Sequence, residues 1–197
     1  MSSPDRGNES SFDGVPSSGK NTTASDVQQA EWQHRLVEGD HHVQLQTLME
    51  IRQSTRVAAV SGQIIRLAGS RDDGVRAAAA EVLDGCLQPS LVELPALIAS
   101  LADRSDGEIS YWAATLLGRL GKKAVGAVPA LCDVVAKSQF LPARERSVWA
   151  LREIGPEARD AIPVLGAISE AAPARLQQLC REAIRDIGID SAVRQAA

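Results

Sequence analysis

The amino-acid sequence predicts an all-α fold in which paired helices stack as a solenoid, and three observations lead to this prediction. The first is a period of 34 residues, because similar stretches begin at Val75, Ile109 and Ala143, and another begins 33 residues later at Leu176. The second is a set of prolines at matching offsets: Pro95, Pro129 and Pro163. The third is the scarcity of aromatic residues, 3% of the chain, so the core must consist of Leu, Ile, Val and Ala. A fixed period of this length is typical of a repeat array.

Each unit is predicted to contain two helices. The first helix opens at the proline, which loses no hydrogen bond in a first turn. The second helix carries apolar residues on one face, for example Ile109, Ala113, Leu116, Leu117 and Leu120. A glycine then ends it, where a left-handed residue is needed; these are Gly121, Gly155 and Gly188. The same register predicts a buried column of Leu117, Leu151 and Ile184 and an exposed column that includes Thr115.

Helix breaks are expected near the polar turns between these helices. They fall near 69–74, 87–92, 103–107, 121–127, 138–142, 155–160 and 170–173.

The chain divides into three parts. Residues 1–25 are rich in Ser, Gly, Asn and Asp with little to bury, which predicts a disordered tail. Residues 26–54 show helical spacing and are expected to form capping helices or a degenerate repeat. Residues 55–197 form the predicted solenoid, and its first helix, 55–69, lacks the proline.

Charge and composition exclude several functional classes. Residues 1–40 carry the whole net charge of −4, and residues 41–197 are neutral. A neutral solenoid lacks the excess of Lys and Arg that binds nucleic acid or anionic lipid, so neither partner is expected. No stretch approaches a membrane span, and no secretory signal is present. Three widely spaced cysteines without a C-x-x-C motif predict reduced thiols and a cytoplasmic protein.

The repeated pattern resembles the HEAT repeat. An apolar residue, then Ala, then paired apolar residues and a final Leu-Gly or Ile-Gly run through Ile109–Gly121 and Ala143–Gly155. Leu176–Gly188 carries the pattern too, and Val75–Leu87 carries it with Leu87 in place of the glycine. In its short bacterial form the pattern is similar to the HEAT-like repeats of phycobilisome lyases. The resemblance implies a right-handed superhelix of about four helix pairs, whose second helices line the concave, ligand-facing side.

Three enzyme classes carry HEAT-like repeats, and the sequence argues against each. The resemblance to deoxyhypusine hydroxylase would need repeated His-Glu pairs, but His34, His41 and His42 are not followed by Glu; no metal site or other cofactor is expected. The resemblance to alkylpurine DNA glycosylases would need a basic concave face, but Glu145 and Glu153 accompany Arg144 and Arg152. No residue specifies the bilin pocket of a lyase.

The predicted binding face consists of the positions of the second helices that the apolar stripe leaves exposed. Tyr111 and Trp149 are large aromatics at such positions, and aromatics and Arg dominate interface energetics. The two rings are expected to edge one groove, with Arg152 near its floor. The other candidate residues on this face are Arg144, Arg76 and Arg185. The alternative is that one or both rings pack against the neighbouring repeat, as is expected for Trp112.

These observations together favour a non-enzymatic interaction module or scaffold. Its expected partner is a protein bound in the concave face. The alternative is a lyase-like or other cofactor-handling HEAT-repeat protein, and a nucleic-acid binder ranks below both.

Overall fold

The chain is all-helical wherever a computed structural model describes it, namely over residues 24–54, 59–85, 89–103, 106–168 and 172–188, and no strand occurs in these ranges. The α-helices are α1 (Ala24–Glu38), α2 (His41–Gln53), α3 (Ser61–Ala68), α4 (Asp73–Asp84), α5 (Leu94–Ala102), α6 (Gly107–Leu120), α7 (Val128–Lys137), α8 (Leu141–Ile154), α9 (Ile162–Gly166) and α10 (Ala174–Gly188). The all-α prediction is confirmed. Most of the predicted tail, residues 1–23, lies outside the described residues. No helix of the described ranges is long and apolar enough to cross a membrane.

The 34-residue period recurs in the backbone conformation. Gly121 ends α6 with φ 57° and ψ −139°, and Gly155 ends α8 with φ 82° and ψ −144°. A positive φ is accessible to glycine without a steric penalty, which explains the residue at both positions. Each glycine opens a seven-residue 3₁₀ segment, Gly121–Ala127 and Gly155–Ala161. A proline in the first turn of α7 and of α9 follows. Gly188 is the last described residue of α10 and does not have a positive φ.

The unit that begins at Val75 departs from this pattern. It lacks the Leu-Gly ending, and its α4 stops at Asp84, followed by Gly85 with φ −73°. A short 3₁₀ turn, Leu91–Glu93, then leads into α5. In this part of the fold α6 packs against α3 and α5 rather than along α4. Arg119 joins the two instead, because its Nη1 and Nη2 donate to the carbonyl oxygens of Leu83 (2.5 Å) and Asp84 (3.1 Å) at the end of α4.

The helices pack as successive pairs that form two layers. α3 pairs with α4, α5 with α6, α7 with α8, and α9 with α10. Within one layer α8 lies between α6 and α10, and the first helices α5, α7 and α9 form the other layer. Equivalent leucines of the second helices, among them Leu117 and Leu151, are fully buried at the junction. Ile184, expected in the same column, is only half-buried, because no helix follows α10 within the described ranges to cover it.

Several positions predicted to be exposed are buried. Thr115 is 4% exposed and Ser110 5%, and Gly118 is buried as well. The reason is that α6 has neighbours on both sides, with α3 and α5 on one and α8 on the other. The equivalent positions of α4, Arg76 and Glu81, stay exposed. The prediction of exposed columns is therefore wrong for α6, although it holds for α4.

Candidate functional site

Tyr111 of α6 and Trp149 of α8 are joined by a residue that the sequence did not single out, Arg146. The guanidinium carbon of Arg146 lies 4.8 Å from the centroid of the Tyr111 ring and 5.1 Å from that of the Trp149 ring. Its Nη2 also donates a hydrogen bond of 2.6 Å to the Tyr111 hydroxyl. Cation–π attraction and a charged hydrogen bond both favour this arrangement. We refer to Tyr111, Arg146 and Trp149 as the ring–guanidinium cluster.

Local sequence explains how the cluster forms. Arg146 and Trp149 are three residues apart on α8, so their side chains lie on one face of the helix. The indole of Trp149 lies directly over Gly118 of α6, where an added Cβ would come within 2.3 Å of Cζ3. The missing side chain at Gly118 therefore admits the ring. Tyr111 makes an edge-to-face contact with Trp112, with ring centroids 5.1 Å apart; Trp112 is buried, as predicted.

The two predicted aromatics are half-buried rather than exposed. The physical reason is the close approach of α8 to α6, which brings Trp149 against Gly118 and Arg146 against Tyr111. The prediction that the two rings lie on one side of adjacent second helices agrees with the shared contact to Arg146. The alternative of packing between repeats also holds in part, because Trp149 rests on the neighbouring helix.

Arg152 does not lie at the floor between the rings. Its guanidinium turns to α10, where Nη2 lies 2.7 Å from Asp186 Oδ2 and Nη1 lies 3.6 Å from Glu182 Oε2. This ion pair holds α8 against α10, the junction that follows the ring–guanidinium cluster. Its placement differs from the expectation because acidic residues one repeat later attract the guanidinium, whereas the acidic residue of α6, Glu108, lies in the first turn of that helix.

The remaining predicted site residues are not brought to the cluster. Arg144 donates from Nε to the carbonyl oxygen of Val135 in α7, at 2.7 Å. Arg76 donates to the carbonyl oxygen of Ser70 and pairs with Asp73 at the start of its own helix. Arg185 is exposed on α10. The structure therefore groups Tyr111 and Trp149 and separates the four arginines from them.

A sequence signal for Arg146 existed in part. It stands one helical turn before Trp149, so an aromatic–cation contact within α8 could be expected. Its contact with Tyr111 depends on how α8 crosses α6, which periodicity does not specify. The charge pattern of α8 concealed it further, because Arg144, Glu145, Arg146, Arg152 and Glu153 appear as one solvated face.

Other polar and reactive groups are accounted for by structural contacts. Burial raises the pKa of the Cys132 and Cys180 thiols, which disfavours the reactive thiolate. Nδ1 of His41 lies 3.2 Å from a carboxylate oxygen of Asp72. Among the described residues, no group of three or more His, Cys, Asp or Glu side chains is placed to hold a metal ion.

A cavity of about 360 Å³ lies at the N-terminal end of α6, the end opposite Gly121. Leu101, Asp103, Ser110, Asp133, Lys137 and Phe140 are among its lining residues. The Lys137 ammonium is already paired with Asp133 at 2.8 Å, and Ser110 donates to the carbonyl oxygen of Asp103. None of the predicted site residues lines this cavity.

Comparison with known proteins leaves the family open. No model of a known protein family matches the chain, and no curated protein matches it. Among solved structures, the crystal structure of an engineered protein from the Northeast Structural Genomics Consortium is similar, at 17% sequence identity and a TM-score of 0.48. The similarity covers 85% of this chain and 92% of the engineered protein. A similarity of this degree carries no argument about partner or activity.

Proposed function

We propose that the chain is a non-enzymatic, HEAT-like helical solenoid that binds a protein partner through the concave face formed by its second helices. The second helices are α4, α6, α8 and α10, the later member of each helix pair. The proposal has three supports: the recurrence of the backbone, the relative spacing of the two layers, and the residues that the second helices bring together.

Recurrence of the backbone supports the solenoid. The positive-φ glycines, the 3₁₀ segments and the prolines of α7 and α9 each recur after 34 residues. Equal backbone geometry at equal intervals places each helix pair on its neighbour in a similar way, which produces a superhelix. The capping role of residues 26–54 belongs to the same proposal.

Layer spacing supports the direction of curvature. α6 approaches α8 along most of its length, whereas α5, α7 and α9 touch one another at few positions. A stack of helix pairs curves toward the layer whose members are closer together. The closer layer contains α6, α8 and α10, so the spacing supports these three helices as the face toward the partner. α4 does not pack along α6, and its place on this face rests on the sequence repeat.

One observation carries the functional proposal: the ring–guanidinium cluster lies between two second helices. Tyr, Trp and Arg are the residue types that contribute most to protein interfaces. All three cluster members are half-buried, so each leaves part of its surface for a partner. A guanidinium cannot act as a base at neutral pH, so the role proposed for the cluster is binding. The proposed setting is a reducing cytoplasm, where cysteines remain as thiols.

Site-specific photo-crosslinking tests this proposal. A photoreactive phenylalanine analogue is placed at Ala77 of α4 or Gln178 of α10, which are exposed on second helices. Matched control variants carry it at Ala99 of α5 or Ala136 of α7, which are exposed on first helices. Each variant is irradiated in lysate from the organism that encodes the chain.

The proposal predicts discrete protein adducts from the α4 and α10 positions, competed away by an excess of unlabelled chain. The α5 and α7 positions should give none. Equal adduct formation from both layers, or adducts from the first helices alone, would contradict the proposed binding face.

A further inference from the structure

We propose that Arg146 is the anchor for a carboxylate of the partner protein, which would accept hydrogen bonds from the guanidinium N–H groups while Tyr111 and Trp149 hold the guanidinium in place. This inference rests on the proposed function and names the chemistry that the binding face recognises. It would make an acidic residue, or a free C-terminus, the specific feature of the bound segment.

The first argument is that Arg146 is a cation without an anion. In the described ranges it forms a hydrogen bond to a neutral phenol and contacts with two rings, and it forms no ion pair. The lack of an ion pair does not by itself distinguish Arg146, because Arg144, Arg159 and Arg185 form none among the described residues either. Arg159 and Arg185 are exposed, however, and Arg144 donates to a backbone carbonyl oxygen, whereas Arg146 is half-buried beside two rings. Several other basic residues do have carboxylate partners. They include Arg35 with Glu50, Arg52 with Glu81, Arg76 with Asp73, Lys137 with Asp133, Arg152 with Asp186, and Arg175 with Glu145.

The second argument counts hydrogen-bond donors. A guanidinium has five N–H donors in one plane, and one of those of Arg146 donates to the Tyr111 hydroxyl. In the described ranges its other N–H groups donate no hydrogen bond, because its remaining contacts are those of the guanidinium carbon with the two rings. A carboxylate can accept two parallel hydrogen bonds from a guanidinium, which is the geometry for which Arg exceeds Lys.

The third argument is that the guanidinium is preorganised, since its contacts are formed before any ligand binds. Trp149 rests on the backbone at Gly118, and the Tyr111 hydroxyl fixes Nη2. A side chain already held in one conformation loses less entropy when a ligand binds. Arginine on an exposed helix face otherwise loses much rotamer freedom in forming such a bond.

Charges near the cluster favour a single carboxylate over a polyanion. Glu145 neighbours Arg146 in sequence and pairs with Arg175, and Glu153 is exposed further along α8. The next junction holds Glu182 and Asp186. A nucleic acid requires several uncompensated cations along its backbone, and these acids would repel it. One carboxylate needs one guanidinium, which is what this part of the face offers.

Selection from peptide libraries tests the inference without a known partner. Random dodecapeptides are displayed in two formats, one with the C-terminus blocked and one with it free, and are selected on the immobilised chain. The tightest peptides are then synthesised, and their dissociation constants are measured by fluorescence anisotropy. The protein variants are Arg146→Gln and the control Arg159→Gln. The control removes the same charge from an exposed site in the 3₁₀ segment Gly155–Ala161.

The inference predicts peptides that contain a required Asp, Glu or free C-terminus. Arg146→Gln should weaken their binding by about 10- to 100-fold, the range expected for hydrogen bonds to charged groups, and Arg159→Gln by less than about twofold. Changing the peptide carboxylate to the amide should weaken binding to the wild-type chain equally. That measurement needs no protein variant, so it remains decisive if Arg146→Gln does not fold. The two library formats distinguish a side chain from a C-terminus.

Two outcomes overturn the inference. One is a set of peptides that lack an acidic requirement or bind Arg146→Gln as tightly as the wild-type chain. The other is Arg146-dependent binding of a fluorescein-labelled single-stranded oligonucleotide in place of any peptide. Either outcome leaves the photo-crosslinking pattern as a separate test, so the carboxylate anchor can fail while the protein-binding face stands.

Discussion

Glu93, in the 3₁₀ turn before α5, accepts hydrogen bonds from both the backbone N–H and the hydroxyl of Ser61, at 2.7 and 2.9 Å. Ser61 is the first residue of α3, whose N-cap residue makes no side-chain cap of its own. A residue of the following unit therefore caps this helix. The Glu93 carboxylate is only 6% exposed, and it also accepts from the backbone N–H of Ser90 at 3.1 Å.

Removing this carboxylate should destabilise the fold strongly. Glu93→Ala is expected to lower the free energy of unfolding by about 2 kcal/mol or more, because it leaves buried donors unpaired and uncaps α3. Urea denaturation followed by circular dichroism measures the change. Glu153→Ala, at an exposed site on α8, serves as the control and should stay within about 0.5 kcal/mol. Similar losses for both variants would contradict the capping role.

The buried leucine column should be the most sensitive part of the second helices. Leu151 is fully buried, so Leu151→Ala should cost about 2–5 kcal/mol. Ile184→Ala at the equivalent, half-buried position of α10 should cost clearly less. Thermal or urea unfolding of the two variants decides the order. A larger loss at Ile184 would mean that further chain covers α10.

The contact between Trp149 and Gly118 can be measured by a double-mutant cycle. Gly118→Ala alone should destabilise the chain, because the new Cβ would displace the indole. In a Trp149→Ala background the same change should be neutral or stabilising by up to about 1 kcal/mol, since alanine is the better helix former. The coupling between the two sites should be about 1 kcal/mol or more. Additive effects would show that the ring does not rest on Gly118 in solution.

Glu108 in the first turn of α6 should make stability depend on pH. Burial, and then the nearby Asp106 carboxylate, raise the pKa of Glu108 above its ordinary value of 4.5. The folded state therefore binds the proton more tightly than the unfolded state does. Its contribution to stability is complete below pH 4.5 and is lost as the pH rises through the raised pKa. Glu108→Gln should flatten the pH dependence of urea unfolding in this window, and an unchanged slope would contradict the raised pKa.

Ser147 presents the opposite case to Glu93. Its hydroxyl is fully buried in α8 and has no hydrogen-bond partner in the part of the chain that the structure describes. Ser147→Ala removes an unsatisfied polar atom and adds a better helix former, so the free energy of unfolding should rise by about 1 kcal/mol. Ser138→Ala is the control. The Ser138 hydroxyl accepts a hydrogen bond from the backbone N–H of Phe140, so its removal should lower the free energy of unfolding. A loss of stability in Ser147→Ala would indicate a hydrogen bond formed in solution.

Local backbone features were predictable, because a single residue type determines each of them. Gly121 and Gly155 were expected to need a left-handed conformation, and both adopt a positive φ. The helix breaks and the burial of Leu117 and Leu151 follow from proline positions and from the spacing of apolar residues. These properties depend on a residue and its near neighbours along the chain.

Contacts between units were not predictable in the same way. Arg146 with Tyr111 and Glu93 with Ser61 join residues 35 and 32 positions apart. Such pairs depend on the crossing angle of two helices and on side-chain rotamers, neither of which a periodic pattern contains. The prediction that Thr115 is exposed failed for the same reason. The register identifies the face that a helix turns toward the other helix of its own pair, but not the faces that helices of neighbouring pairs cover.

The contact between Trp149 and Gly118 also limits how the units could be rearranged. At the next junction the corresponding positions are Glu182 and Arg152, which form an ion pair instead. Exchanging neighbouring units would bring an indole against an arginine and leave a glutamate facing a glycine. The units are therefore alike in backbone but not interchangeable in order. Duplication or shuffling of a 34-residue segment would have to change these two positions together, because each junction between units has its own pair of contacting residues.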